Sequence, residues 1–377
     1  MRDRPTLLVG AALAAQPGNG GHAWVLLHWL LGLRRSGYDV LLVDRMPPDP
    51  ADAARGAAWV RSVLDPHGLA FSLLDGDDGR AAGVDRCDVI ALAHRSVGLV
   101  NIMGFVDHDD VLAAVPRRVF LDIDPGFGQF WFHLGLADVF DGHDAFATVG
   151  LNIGRPGCEV PTCGRTWVHT VPPVVLDAWP DDAPAQRGVT TVATWRGIYG
   201  PIEVGGERYG LRVHEFRRFA ELAADSPLPL EPAMRIDPED DRDRTALETH
   251  GWFLDDPAVV AATPGDYRRF VSESTAELCI AKELYVKTRS GWFSDRSACY
   301  LAAGRPVVAQ DTGFAEHLPT GAGLLAFASP DEALAALHDV AADWRHHSDA
   351  ARNLAAEHFD AETVLPPLLA ELGIDRP

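Results

Sequence analysis

Apolar residues fall along this chain in short continuous runs rather than in strict alternation. Residues 6–10, 40–43, 70–74 and 119–123 are mostly Val, Leu, Ile, Phe or Ala, bounded by Gly, Pro or Asp. Such runs suit strands buried on both faces of a parallel sheet. Between the first two, the spacing of Trp24, Leu27, Leu31 and Leu33 predicts a helix over 21–35, ended by Gly37. Strand, helix and strand of these lengths make a right-handed βαβ unit, with Asp44 at the end of its second strand. A helix around Trp59, Val60 and Val63 follows a proline-rich turn within 48–65. Apolar runs at 87–93 and 99–103, a strand at 146–151 and an extended stretch at 167–175 continue the pattern. The Asp-Gly cluster at 75–79 lacks the trailing glutamate of a calcium loop and reads as a solvated turn.

A polar, proline-bearing stretch at 179–186 interrupts this rhythm, and the domain linker is placed there. The expected organisation is a doubly wound α/β domain over 1–177, a linker at 178–187, a second such domain over 188–350, and terminal helices over 351–377. In the second half a β-branched run at 189–194 predicts its first strand, and Gly205-Gly206 a hairpin tip. A helix over 209–222, a short strand at 234–236 and a helix over 264–276 come next. A strand at 284–288, a polar loop at 290–296, a helix at 297–303 stopped by Gly304 and a strand at 305–309 then follow. The charged run 237–244 reads as a solvated face. Ser329-Pro330-Asp331-Glu332 is a capping start for a helix over 332–344, and helices at 350–358 and 362–372 finish the chain.

With 377 residues, two domains of ordinary size are expected. A formal charge of −21, from 54 acids against 33 bases, argues against nucleic acid or an anionic membrane as partner. Five cysteines without framework spacing suit a reducing cytosol, and the chain is expected to be cytoplasmic, with no membrane span. Cys158 and Cys163 are too far apart for a C-x-x-C site, so no metal is expected. Monomer and homodimer stay open.

Cations that cluster against so acidic a background mark a site. The only two lysines are Lys282 and Lys287, and Arg289 and Arg296 lie beside them. Here Ser294 or Asp295 can cap the next helix, which leaves first-turn N–H groups, through Ser297, and the positive end of the dipole free for an anion. At the other sheet's strand ends, Asp122 and Asp124, with nearby His133, are candidates for acceptor binding or base chemistry.

The stretch Ser290-Gly-Trp-Phe-Ser-Asp-Arg-Ser297, followed by Ala-Ala-Gly-Arg-Pro-Val-Val-Ala and Gln310-Asp311-Thr-Gly-Phe314, resembles the donor half of a GT-B glycosyltransferase. It is most similar to a bacterial family-one-like group that carries the same run. The resemblance implies two facing Rossmann-like domains, with a nucleotide-sugar bound in the second as co-substrate, no other cofactor, and a small-molecule acceptor in the first. It implies that the helix start at Ser294, Asp295, Arg296 and Ser297 holds the diphosphate with Arg196 and with Lys282 or Arg289. Arg212 or His214 would replace a lysine of retaining relatives. Gln310 and Asp311 would meet sugar hydroxyls, and Glu316 would stand in for a ribose ligand. Gly20 and Gly21 would border the acceptor, with His22 as base. Two glutamates found in many retaining relatives correspond to Gly291 and Cys299, so the usual ribose ligand is missing. The high-GC, lysine-poor composition suggests a bacterial tailoring enzyme.

Other classes stay open. The same fold serves epimerases, phosphorylases and non-catalytic nucleotide-sugar binders. Gly18-Asn19-Gly20-Gly21-His22-Ala23 with Asp44 also outlines a dinucleotide fingerprint, although its glycines begin eight residues past the strand rather than at a tight turn.

Overall fold

The computed structural model describes residues 4–75, 81–181, 183–197 and 199–374, so the turn read at 76–79 lies outside the described residues. Among them, one sheet has the order β4-β3-β2-β1-β5-β6-β7-β8. It comprises β1 (Thr6–Gly10), β2 (Asp39–Arg45), β3 (Ala70–Leu74), β4 (Ala81–Gly83), β5 (Gly98–Ile102), β6 (Arg118–Asp122), β7 (Ala145–Thr148) and β8 (Trp167–His169). Its pairs are parallel except β3 with β4. The apolar run at 87–93 forms the helix Arg86–Ala93.

The second half carries β9 (Val189–Thr190), β10 (Val192–Thr194), β11 (Ile202–Val204), β12 (Glu207–Tyr209), β13 (Ala233–Arg235), β14 (Ala276–Cys279), β15 (Val307–Gln310) and β16 (Leu324–Phe327). Strands β16-β15-β14-β9 make a parallel sheet, and β10 pairs in parallel with β13. Gly205 and Gly206 turn the β11–β12 hairpin with φ of 61° and 86°, a region glycine enters freely.

Two expectations in this half are corrected. The run 189–194 is not one strand: β9 stays on β14, then the chain leaves it. The buried pair of Glu277 and Arg296 explains the break, because Thr191 Oγ1 donates to Glu277 (3.3 Å) and Arg296 Nη1 donates to the Val192 carbonyl (3.0 Å). Residues 284–288 are not a strand either. The strand is β14, and Glu283–Lys287 is a short helix. Its end is fixed by Thr288, whose N–H and hydroxyl both donate to the Leu284 carbonyl at 3.1 and 2.7 Å. The β-branched composition of the segment lost to this local closure.

The halves are joined at several places. Helix Gly20–Arg35 is buried on most of its surface, because helix Ala361–Glu371 packs on it. A Cβ at Gly32 would stand 2.8 Å from that of Ala361. The aromatic rings of Trp24 and Trp179 meet at 5.0 Å, and Trp24 Nε1 donates to the Pro264 carbonyl at 2.8 Å. Gly20 N donates to the Ala261 carbonyl at 2.9 Å. No helix among the described residues is long and apolar enough to cross a membrane.

Candidate active site

Strands of both sheets point their carboxyl ends at one cavity of about 620 Å³. From the first sheet come the first turn of helix Gly20–Arg35, which follows the loop after β1, with Gly21 and His22, and the loop after β6, with Asp124. From the second half come Thr194 at the end of β10, Arg235 of β13, Lys282 after β14, and Ser294, Asp295 and Arg296 at the start of helix Asp295–Ala302. Arg212, Tyr267 and Tyr285 complete the part used below. Carboxyl ends of parallel strands are where open α/β sheets collect ligands.

His22 sits on the first turn of its helix, its N–H donating to Asn19 Oδ1 at 3.0 Å. Its Nε2 lies 3.0 Å from the Ala12 carbonyl. A carbonyl only accepts, so Nε2 carries the proton and Nδ1 keeps its lone pair. Burial lowers the imidazole below its ordinary range, and the Ala12 bond raises it by less. A neutral ring with one fixed tautomer is what a base needs. The loop that supplies Ala12 is held by Asp44, whose Oδ2 accepts from Leu13 N (2.8 Å) and Ala14 N (2.6 Å). Asp44 is thus a loop anchor, raised to about 7 by burial. That corrects the dinucleotide fingerprint: its acid is spent on the backbone, and Gly20 is spent on docking against Ala261 and Thr263.

Asp124 faces Lys282 and Tyr285. Lys282 Nζ lies 2.9 and 2.7 Å from its two oxygens, and the Tyr285 hydroxyl donates to the same carboxylate. Asp122, by contrast, is buried away from the cavity. It accepts from Gln129 Nε2 (2.6 Å), Thr148 Oγ1 (2.9 Å) and Asp124 N (3.1 Å), and burial raises it to about 6. It organises the strand ends and is corrected from candidate base to scaffold. His133 is exposed on helix Phe127–His133 and does not line the cavity.

The predicted anion cradle is rearranged. Ser294 is the N-cap residue but makes no side-chain cap, and Asp295 lies on the cavity wall with its carboxyl raised by burial. Ser297 is fully buried below the cavity. Arg296 gives its Nε to Glu277 and its Nη2 to Cys279 Sγ (3.1 Å), so it is a structural cation. Arg196 is turned away, forked onto the buried Asp240 at 2.6 Å through both Nε and Nη2. The run 237–244 is therefore not simply a solvated face. Arg289 pairs with Glu316 on the exterior. Lys287 bonds Glu207 Oε1 at 2.9 Å, also outside the cavity. Gln310 is buried between Glu215 (2.6 Å) and Ala281 N (3.1 Å), and Asp311 caps Gly313 N at 2.8 Å. His214 Nδ1 accepts from Leu211 N at 2.8 Å.

Arg212 remains. It lines the cavity and, among the described residues, makes no hydrogen bond or ion pair. Burial lowers its pKa, and the Arg296 guanidinium adds to this. An uncompensated guanidinium in a cavity is costly unless a ligand supplies the anion. Tyr285 and Tyr267 also line the cavity and were not singled out as ligands from sequence. Reading 283–287 as helix would have set Tyr285 three residues from Lys282, on one face.

Among the described residues no group of three or more His, Cys, Asp or Glu is placed to hold a metal ion. No family model matches the chain, and no curated protein sequence does either. Solved structures do match in shape. Anabaena Alr3699/HepE, in complex with UDP and glucose, covers 98% of this chain and 99% of its own, with a TM-score of 0.59 at 12% identity. Sucrose-phosphate synthase from Thermosynechococcus elongatus covers 98% and 99%, with a TM-score of 0.57 at 12% identity. An alpha-glucosyltransferase bound to UDP and a 13-mer DNA covers 98% and 100%, with a TM-score of 0.59 at 10% identity. The chain therefore has the GT-B fold.

Proposed function

We propose that this protein transfers a sugar from a nucleotide-diphosphate sugar to a small-molecule acceptor, without a metal. The observation that carries the reading is the convergence on one cavity of a guanidinium unpaired among the described residues, a helix start and a neutral imidazole of fixed tautomer. Structures of this shape hold UDP, or UDP with glucose.

In this reading residues 188–350 bind the donor and residues 1–177 the acceptor. Arg212 and the first-turn N–H groups of helix Asp295–Ala302 hold the diphosphate. Arg212 stabilises the charge that grows on the departing nucleotide, which is the largest electrostatic contribution such a transfer needs. Its fixed +1 charge serves that role where another enzyme would use a cation. His22 Nδ1 takes the proton of the acceptor hydroxyl. The Lys282–Asp124 pair is internally neutral and shapes the floor of the cavity. One structural neighbour is bound to DNA, but a net charge of −21 favours a small acceptor here over a polyanion.

A thermal-shift panel of UDP-, dTDP-, GDP- and ADP-sugars tests this directly, because a ligand that binds only the native form raises its melting point. At least one donor is expected to do so and to release free nucleotide slowly. A panel with no shift and no released nucleotide ends the reading.

A further inference from the structure

A second cavity lies where the two halves meet the terminal helices. Its volume is about 330 Å³, and it shares no lining residue with the cavity described above. Leu151 after β7 and His169 at the end of β8 line it from the first half, and His317 and Leu318 after β15 line it from the second. Helix Ala361–Glu371 closes it with Val364, Leu368 and Glu371, which fall on one face. That helix carries Pro366 and Pro367 in its interior, so it forgoes two of its own hydrogen bonds beside the cavity. The two cavities are neighbours. Trp292, on the wall of the first, is bridged through its backbone to Gly150, next to Leu151 on the wall of the second.

Hydrogen bonds fix what this wall offers. Asn152 Nδ2 donates to the carbonyls of Arg289 (3.1 Å) and Gly313 (3.3 Å), so its Oδ1 is the acceptor that faces His317 Nε2 at 2.6 Å. His169 Nε2 lies 2.8 Å from the Ile153 carbonyl. Both rings therefore carry their proton on Nε2, and each Nδ1 keeps a lone pair with no partner among the described residues. Burial lowers both imidazoles, and the Arg155 guanidinium adds to this, which keeps them neutral. Glu371 brings a carboxylate close enough to act on His169. The third ring on the wall, His358, has its Nε2 3.9 Å from Glu357.

These groups separate three ligand classes. A phosphate or carboxylate would meet Glu371 and two lone pairs. An ammonium would meet the charge of Arg155, which reaches both rings. A neutral ring rich in hydroxyls can donate to the imidazoles and to Glu371 while its C–H faces lie on Leu151, Leu318 and Leu368. The volume is at the lower end of the range for ligand sites, about 300–1,000 Å³, which suits one or two sugar rings.

We infer that this second cavity binds a neutral mono- or disaccharide, apart from any donor. The site rests on its own residues and does not need the donor reading. A sugar there touches both halves and the terminal helix, so it holds them in their present arrangement.

The test is a titration of the full chain with glucose, galactose, maltose and sucrose, followed by the ring-nitrogen NMR signals of the histidines and by the melting point. At least one sugar is expected to bind with a Kd of about 1 mM or tighter, to move the Nδ1 signals of His169 and His317, and to raise the melting point. Val364→Phe fills the cavity and should abolish this binding. Glu371→Ala, at an exposed position that folding tolerates, should weaken it roughly three- to tenfold. Arg212→Met, in the other cavity, should leave it unchanged. No binding by any of the four sugars overturns the assignment. So does binding that survives both Val364→Phe and Glu371→Ala, or a ring found protonated on Nδ1 at neutral pH. Inorganic phosphate or ethylamine moving the same two signals more strongly than every sugar overturns it as well. Failure of the nucleotide-sugar panel alone removes the donor reading and leaves this site standing, and failure of the sugar titration alone does the reverse.

Discussion

Lys282 Nζ lies 2.7 and 2.9 Å from the two oxygens of Asp124, so the loop after β14 is tied to the loop after β6 across the cavity. Both side chains are largely withdrawn from water, 19% and 29% exposed. The ammonium also stands 4.8 Å from the centre of the Phe127 ring and 5.0 Å from that of Tyr285. The pair is thus both a clamp between the halves and the floor of the cavity. Its charges cancel, which is why neither counts toward ligand binding in the proposed mechanism.

Asp124→Asn would leave the ammonium in its aromatic surroundings without a counter-charge. A loss of about 1–3 kcal/mol in folding stability is expected, from a charged hydrogen bond broken on one side. A double-mutant cycle with Lys282→Met, read by chemical denaturation, isolates the coupling. The expected coupling is about 1 kcal/mol or more. A value near zero shows the pair to be an incidental contact.

His28 gives a pH test. It is buried beneath the cavity, where its Nδ1 accepts from Val175 N at 3.0 Å, and burial lowers it to about 3. Between its unfolded value of about 6.5 and that folded value, the unfolded chain binds a proton that the folded chain refuses. Stability from this group is therefore present above about pH 6.5 and is lost as pH falls, at about 1.4 kcal/mol per pH unit. Asp122 and Asp44, raised to about 6 and about 7, tilt the other way, since the folded chain holds protons there that the unfolded chain has released. The readout is thus wild type minus His28→Gln, measured by denaturation from pH 7 to pH 4. The difference must shrink as pH falls; a difference independent of pH would mean that His28 does not stay neutral.

His22 predicts the activity profile. Its lowered pKa keeps Nδ1 unprotonated through neutral pH. Turnover should be flat through neutral pH, with its acidic limb displaced below the ordinary imidazole value of about 6.5, and His22→Gln should remove that limb along with roughly 10²–10⁴ of the rate. A variant that keeps the limb places the base elsewhere, with Asp124 the next group on the cavity wall.

How much of this was visible in the sequence depends on whether the deciding partner is local. The β3 run at 70–74 and the helix opened by Ser329, whose Oγ accepts from Glu332 N at 3.3 Å, are local and were legible. Only part of the residue set was legible: His22, Asp124, Arg212, Lys282, Ser294, Asp295 and Arg296 line one cavity, whereas Asp122, His133, Arg196, His214, Arg289, Gln310, Asp311 and Glu316 do not. Their individual roles were not legible. Nothing near Arg196 in the chain announces that Asp240, 44 positions on, will take both arms of its fork. Nothing near Arg296 announces Glu277, which lies on β14, a strand left unassigned from sequence between the helix read at 264–276 and the run at 284–288. A cation is free or spent according to long-range pairing, and a single sequence does not show it.

That distinction sets two arginines against each other. Among the described residues Arg212 has no side-chain partner, so the folded protein without ligand bears the cost of its burial. Arg212→Met should leave the melting point unchanged or slightly higher, yet weaken donor binding by tenfold or more, since a charge-assisted bond to phosphate is worth roughly 1.5–3 kcal/mol. Arg196 is the reverse case. Its fork supports an Asp240 that is 6% exposed, so Arg196→Met leaves a buried carboxylate short of its donors. The melting point should fall and donor affinity should hold. Calorimetry and a melting curve on the two variants give four numbers, and the crossed pattern is the expected one. If the Arg196 variant loses the donor while the Arg212 variant keeps it, then the fork opens on binding and the phosphate belongs to Arg196. The cavity would then have to reach past Thr194 to the far side of β10, which its present lining does not do.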